Sequence, residues 1–285
     1  MAREERPITD KEAIKNLPHN RKEVFFDLLR HRKMMLFALS SFVFLFFIPL
    51  AIDLFFFNYL ESLAIASGKY EYLFSLIFYS MLIMIPCMVI GFVGLAGSFY
   101  TVKKMVWQEG ISIAVDFFQG IKENFGRALI NGLIFGIVLF GLVVGGSYLL
   151  IFMYEQPIWV GVGIGGLILL FIVFGIITAL NFTQDVYYQN KYFITFKNSF
   201  YFLGLINWKV LLLFVITTGG VVALCAINMI TLIVGVVLFA IFNSVVIVLY
   251  TLISHTAFDK YINVEHYPDM VGKGLYKITK SDKEA

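Results

Sequence analysis

Long apolar runs recur along this chain, and they constrain its fold more than any other feature of the sequence. A helix of about 20 apolar residues is long enough to cross the roughly 30 Å of hydrocarbon in a lipid bilayer. Charged residues make up 14% of the chain, whereas a soluble domain usually carries about 25%. The sequence therefore predicts an all-α, polytopic membrane protein.

We predict six membrane spans, with two polar tails outside them. The predicted spans are residues 34–59, 74–101, 128–153, 158–181, 210–227 and 229–254. The transmembrane bundle then occupies residues 34–256, between an N-terminal tail at 1–33 and a C-terminal tail at 257–285. The N-terminal tail ends in a short amphipathic stretch, "EVFFDLLRHRKMMLF", which leads into the first span.

The positive charges predict which way the chain lies in the membrane. Of its 22 Lys and Arg residues, Lys69 alone falls on the side opposite to the two tails when the six spans are threaded through the bilayer. Positively charged connections stay in the cytoplasm, so we expect both termini to be cytoplasmic. The net charge of +3 then serves orientation, because no Lys/Arg stripe marks a nucleic-acid surface.

A polar but periodic stretch, "WQEGISIAVDFFQGIKENFGRALI", lies between the second and third spans at residues 107–130. Apolar side chains recur in it every three or four residues, at Ile111, Val115, Phe118, Ile121 and Phe125. This is the 3.6-residue period of an amphipathic helix. We therefore predict a helix at 111–126 that lies along the cytoplasmic membrane interface, and a similar one at 193–206.

The two stretches also align with each other. A shift of 83 residues places Asn124 on Asn207 and Phe125 on Trp208. The stretch before the first span is a fainter third copy. We therefore predict a three-fold internal repeat whose unit is an interfacial helix, an outgoing span and a returning span.

The interfacial helices offer a surface to the cytosol on which a partner could dock. The residues predicted to face that partner are Asp116, Phe117, Phe118, Lys122, Asn124, Phe125, Asn207 and Trp208.

Glycines spaced four apart are dense in the third and fourth spans. They are Gly132, Gly136, Gly141, Gly145, Gly161 and Gly165. Small residues at this spacing allow two helix backbones to approach closely, and the short "YEQP" connection makes these spans antiparallel neighbours. We predict a tightly packed hairpin of spans three and four; a glycine-lined substrate path is the alternative.

Four further residues within the spans are candidates for a kink or a transport path. Pro49 and Pro86 each lie inside a span, and broken helices often mark transport sites. Asp53 is predicted to be an acid at the outer interface, with an ion or proton site as the alternative. Asn131 is explained either by a helix-to-helix hydrogen bond or by a place on such a path.

The sequence predicts no enzyme, cofactor or metal site. It contains no HExxH, GxSxG or P-loop motif. The best composition for a metal lies just after the last span, between His255 and Asp269, but its spacing fits no standard site. We predict a solvated polar tail there.

The segment "IPCMVIGFVGLAGSFYTVKKMVWQEGISIAVDFFQGIKENFGRALI", residues 85–130, resembles the YesL-like family of bacterial membrane proteins. The matching positions are Pro86, Gly91, Gly94, Ala96, Gly97, Tyr100, Lys103, Asp116, Phe117, Phe118, Lys122, Asn124 and Phe125. The tail "FDKYINVEHYPDMVGKGL" is also similar to that family.

The resemblance implies a helical protein of the bacterial plasma membrane whose gene accompanies carbohydrate-import systems. Our first hypothesis is therefore a non-enzymatic accessory or subunit of an ABC-type transport assembly, with permease or ATPase subunits as partners. The alternative is a stand-alone secondary transporter or channel. The residues name no substrate and no oligomeric state.

Overall fold

The computed structural model describes residues 17–69, 72–188, 190–205 and 208–276, and within them all regular structure is helical. A short helix, α1 (Arg21–His31), precedes the first long helix. The long helices are α2 (Lys33–Ala66), α3 (Leu73–Val106), α4 (Ile113–Phe152), α5 (Pro157–Tyr188) and α9 (Met229–Phe258). All five are long and apolar enough to cross a membrane. The predicted class, an all-α polytopic membrane protein, is confirmed.

The predicted span at 210–227 is not one long helix. It consists of α7 (Trp208–Phe214) and α8 (Gly220–Ile227), joined by a π-helical turn at Val215–Gly219. Thr217 Oγ1 donates to Leu213 O at 2.7 Å inside this turn, and such back-bonding bends helices. The segment runs from the end of the bundle where α6 (Tyr192–Leu205) lies to the opposite end, where α9 begins.

The predicted interfacial helix at 111–126 is wrong as a separate element. Its residues form the first part of α4, which continues without a break from Ile113 to Phe152. A helix of this length spans about 60 Å at 1.5 Å per residue, which is twice the hydrocarbon thickness. The second predicted interfacial helix is separate and corresponds to α6. Asn207 lies outside the described residues, and the side chain of Trp208 is not described either.

The order of elements agrees with the proposed repeat unit. A short helix, an outgoing span and a returning span follow one another three times, with the short helix fused to the span in the second unit. The repeat of sequence itself stays a prediction. The predicted tails are described from residue 17 and up to residue 276; their remaining parts lie outside the described residues.

The buried core lies at one end of the bundle. Both described termini meet there, because Arg21 of α1 contacts Asp259 and Lys273 near the other end of the chain. We call this the termini-bearing end. In α5, every buried residue lies between Gly175 and Tyr188, and from 137 to 174 no described residue is buried. The outer part of the α4–α5 hairpin therefore exposes many of its apolar side chains, while others, such as Phe140 and Val144, are partly buried against the core.

Glycine packing occurs between α3 and α4, which corrects the predicted close packing within the α4–α5 hairpin. A Cβ atom on Gly132 would lie 2.8 Å from Val89 Cα, and one on Gly136 would lie 3.3 Å from Ile85 Cα. The other predicted packing positions are open or nearly so: Gly141, Gly145, Gly161 and Gly165. Where the two helices of the hairpin do touch, as at Leu149 and Gly163, a side chain of one meets a glycine of the other rather than two backbones meeting.

Neither proline divides its span into half-helices. Pro49 lies inside the continuous α2, and Pro86 lies inside the continuous α3. Membrane helices tolerate proline because neighbouring groups and local adjustments satisfy the freed carbonyl. Asp53 of α2 is half-buried and lies 3.4 Å from Ser80 Oγ on α3, so its nearest polar partner is a hydroxyl group of the next helix.

Candidate functional site

Only some residues of the predicted partner-facing surface on α4 are exposed in the structure. Three of its residues are buried: Asp116, Phe117 and Asn124. The other three are exposed: Phe118, Lys122 and Phe125. Of these, Phe118 and Lys122 border an open surface depression. Asp116 cannot face a partner, because its Oδ1 accepts from Lys104 Nζ at 2.6 Å and its Oδ2 from the Ser112 amide at 2.8 Å.

The first polar cluster at the termini-bearing end surrounds His255, which is 0% exposed. Trp107 Nε1 donates a hydrogen bond to His255 Nε2 at 2.9 Å. On the other side of the ring, Nδ1 lies 2.9 Å from Arg21 Nη2 and 3.7 Å from Asp259 Oδ2. Arg and Trp side chains are donors only, and a neutral imidazole has a single acceptor nitrogen, so the ring cannot accept from both of them at once.

Arg21 connects this cluster to both ends of the chain. Its Nη2 lies 2.9 Å from Asp259 Oδ2, and its Nη1 donates to the Lys273 carbonyl oxygen at 2.9 Å. Asn263 Nδ2 donates to the other carboxylate oxygen of Asp259 at 2.8 Å. We call His255, Trp107, Arg21 and Asp259 the His255 centre. The predicted solvated tail is wrong for His255 and Asp259, since both belong to this packed network.

Two lysines enclose the indole ring of Trp107. Lys103 Nζ lies 4.7 Å from the ring centroid, and Lys273 Nζ lies 3.6 Å from it. Lys273 also pairs with Glu109 at 3.1 Å. Cations over an indole face are attracted by the ring quadrupole. His255 is completely buried among these groups, so the His255 centre joins α1, α3 and α9.

The second polar cluster lies where α4, α5 and α6 meet, around Asp185, which is 1% exposed. Asn131 Nδ2 of α4 donates to Asp185 Oδ2 at 3.2 Å. Asn131 Oδ1 accepts from Tyr192 Oη of α6 at 2.9 Å and lies 3.4 Å from Asn181 Nδ2 of α5. Asn131, predicted as a packing or path residue, therefore bridges three helices.

Arg127 supplies the positive charge of this cluster. Its guanidinium donates to the carbonyl oxygens of Asp185 at 2.9 Å and Asn190 at 2.8 Å, which lie at the end of α5 and beyond it. Its Nη1 is 3.7 Å from Asp185 Oδ1, too far for a hydrogen bond. Burial and the nearby Asp185 carboxylate raise the pKa of Tyr192 to about 12, so its hydroxyl group stays a donor at neutral pH.

A third polar contact extends the cluster along α6. Gln184 Nε2 donates to Ser199 Oγ at 2.7 Å, and both side chains are completely buried. We call Asn131, Asn181, Gln184, Asp185, Arg127 and Tyr192 the Asp185 centre. Within the described part of the chain, no three His, Cys, Asp or Glu side chains are grouped closely enough to hold a metal ion.

The fold defines a multi-pass helical membrane protein. Comparisons with protein-family models, with curated proteins and with solved structures each find no significant match. The resemblance to the YesL-like family therefore stays a prediction.

Proposed function

We propose that this protein is a non-enzymatic accessory or subunit of a solute transport assembly of the ABC carbohydrate-import type, in the bacterial plasma membrane with both termini cytoplasmic. The observation that carries the proposal is the outer part of the α4–α5 hairpin, residues 137–174, in which no described residue is buried. Its exposed apolar side chains, such as Leu150, Val162 and Leu169, offer contact area to a partner helix in the bilayer.

Open glycines make that surface suitable for a partner helix. Gly141, Gly161 and Gly165 have no atom of another residue near the position of a Cβ atom. Gly161 and Gly165 are four residues apart, the spacing that lets membrane helices approach closely. A second membrane helix would gain close backbone contact at these positions. At the opposite end, Phe118 and Lys122 of α4 offer an exposed patch to a cytosolic subunit.

The test is a pull-down of the tagged protein from its native membrane in mild detergent, with mass spectrometry of the recovered chains. We expect stoichiometric recovery of permease or ATPase subunits. Gly161→Phe and Gly165→Phe should reduce that recovery strongly. The matched control is Gly126→Phe, at another open glycine of α4 that lies outside the outer part of the hairpin. Recovery of this chain alone, or equal losses for all three variants, would exclude the proposal.

A stand-alone secondary transporter or channel is the second candidate, favoured by the Asp185 centre. Ionisable residues within membrane helices are rare and usually mark ion or substrate pathways. Liposomes containing this chain alone should then show solute flux, which Asn131→Leu should reduce because it removes the bridging amide. Absence of flux from well-folded protein would exclude this candidate.

A further inference from the structure

Three acceptor oxygens in the Asp185 centre make no hydrogen bond, and neither does the hydroxyl group of the buried Thr195, which lies near the Asp185 carboxylate. The three oxygens are Asn181 Oδ1, Gln184 Oε1 and Asp185 Oδ1. All three side chains are at most 2% exposed. Nearly all buried polar groups in native proteins have a partner, and an exception calls for a missing water, ion or function. Three exceptions within five residues therefore indicate that something with positive charge or donor protons fits here.

The three oxygens belong to one face of α5. Residues 181, 184 and 185 are three and four positions apart, the spacing at which side chains of a helix are neighbours. Asn181 and Asp185 both contact the amide group of Asn131 on α4. Gln184 contacts Ser199 on α6 through its nitrogen, which leaves its oxygen free. The three side chains thus lie at the junction of α4, α5 and α6.

The local charge favours a cation. Asp185 lies in the last turn of α5, where the helix dipole is negative and a carboxylate is unfavourable. The Arg127 guanidinium donates hydrogen bonds to the carbonyl oxygens of Asp185 and Asn190. Its Nη1 lies 3.7 Å from Asp185 Oδ1 of the carboxylate. The same guanidinium group therefore binds the end of α5 and is the positive charge beside the buried Asp185 carboxylate. A small cation at Asp185 Oδ1 would be stabilised by the carboxylate and by the end of α5, although the Arg127 guanidinium 3.7 Å from that oxygen would repel it.

We infer that the Asp185 centre binds a small monovalent cation, with Na⁺ as the ion of matching chemistry. Its free ligands are one carboxylate oxygen and two amide oxygens, and hard cations are bound by such oxygen ligands. A divalent ion would need more carboxylates than the single one present. Na⁺ in membrane transporters is coordinated by backbone carbonyl oxygens near helix ends, whereas the free ligands here are side-chain oxygens near the end of α5. This inference holds for either proposed function, since it concerns the isolated chain.

The test uses the purified full chain in detergent. Its apparent Tm is measured in NaCl and in choline chloride at equal ionic strength, and binding of radioactive ²²Na⁺ is measured directly. A ligand that binds the folded state raises stability with the logarithm of its concentration above Kd. We expect a saturable rise of Tm with Na⁺, a smaller rise with K⁺, and stoichiometric ²²Na⁺ binding. Equal Tm values in the two salts, without ²²Na⁺ binding, would overturn the inference and assign the oxygens to buried water.

Two variants locate the ion. Asp185→Asn preserves the shape of the side chain and removes its charge, so it should abolish both the Na⁺-dependent shift and ²²Na⁺ binding. The matched control is Asp116→Asn, at another buried carboxylate whose two oxygens already have donors. It should lower the Tm but keep the Na⁺ response. Full ²²Na⁺ binding by folded Asp185→Asn would contradict the assignment. The ²²Na⁺ measurement on the wild type needs no variant, so a misfolded variant leaves the test intact.

Discussion

Trp107 and His255 are 148 residues apart in the chain, yet the indole Nε1 donates to the imidazole Nε2 at 2.9 Å. This contact ties the end of α3 to the last turn of α9 at the termini-bearing end. His255 is completely buried, so no water replaces the bond if the donor is removed. A buried acceptor without a donor costs about 1–3 kcal/mol.

We therefore expect Trp107→Phe to lower the free energy of unfolding by about 1–3 kcal/mol, because it keeps an aromatic ring under Lys103 and Lys273 but removes the N–H group. Denaturant unfolding in detergent measures this change. The control is Trp159→Phe, in the exposed outer part of α5, which should change stability by less than about 0.5 kcal/mol. Equal effects of the two substitutions would show that the hydrogen bond does not matter.

Arg21 should hold the N-terminal helix against the rest of the molecule. Arg21→Ala removes the donors to Asp259 and to the Lys273 carbonyl, and hydrogen bonds to charged groups are worth about 1.5–3 kcal/mol. We expect limited proteolysis to cut within residues 17–32 much faster in this variant than in the wild type. The neighbouring exposed Lys22 provides the control: Lys22→Ala should leave the cleavage rate unchanged, and faster cleavage there would contradict the role of Arg21.

The contact between α3 and α4 depends on two glycines that face each other. A Cβ atom on Gly120 would overlap Tyr100 Cβ and lie 3.2 Å from Gly97 Cα. Gly120→Ala should therefore destabilise the protein by about 1–3 kcal/mol through overpacking. Six residues further along α4, Gly126 has open space around it. Gly126→Ala should instead stabilise the helix by about 0.5–1 kcal/mol. Thermal unfolding of both variants measures the two changes in stability. If both substitutions change stability in the same direction, the close approach of α3 and α4 at Gly120 is contradicted.

Hydropathy predicts the long helices of this protein well, but it does not predict which faces are buried. Along the first turns of α4, Val115 and Phe118 form the apolar side of the period, yet both are exposed, while Asp116 on the polar side is buried. In a membrane protein an apolar face can contact lipid, and a polar face can lie inside the bundle where it has partners. The helical period is visible in the sequence, but the sequence does not show whether a given face contacts lipid, water or the rest of the protein.

The two polar centres depend on contacts that no local pattern contains. The predicted fourth span ended at residue 181, which left Gln184 and Asp185 in a connection, whereas α5 continues to Tyr188. The spacing of Asn181, Gln184 and Asp185 on one helical face was the available signal. For the His255 centre the sequence offers no such signal, because Arg21, Trp107 and His255 come from three distant segments.

The packing of α2 against α9 gives the last prediction. Ser40 is completely buried in α2, and its Oγ accepts a hydrogen bond from the Ser244 amide of α9 at 3.1 Å. Hydrogen bonds between membrane helices are worth about 0.6 kcal/mol on average and up to about 1.7 kcal/mol. Ser40→Ala should lower the free energy of unfolding by an amount in this range. Its neighbour Ser41 is exposed and donates only to the Phe37 carbonyl of its own helix. Ser41→Ala should therefore have no measurable effect on stability. An equal loss of stability in both variants would show that the substitutions act within α2 rather than on its contact with α9.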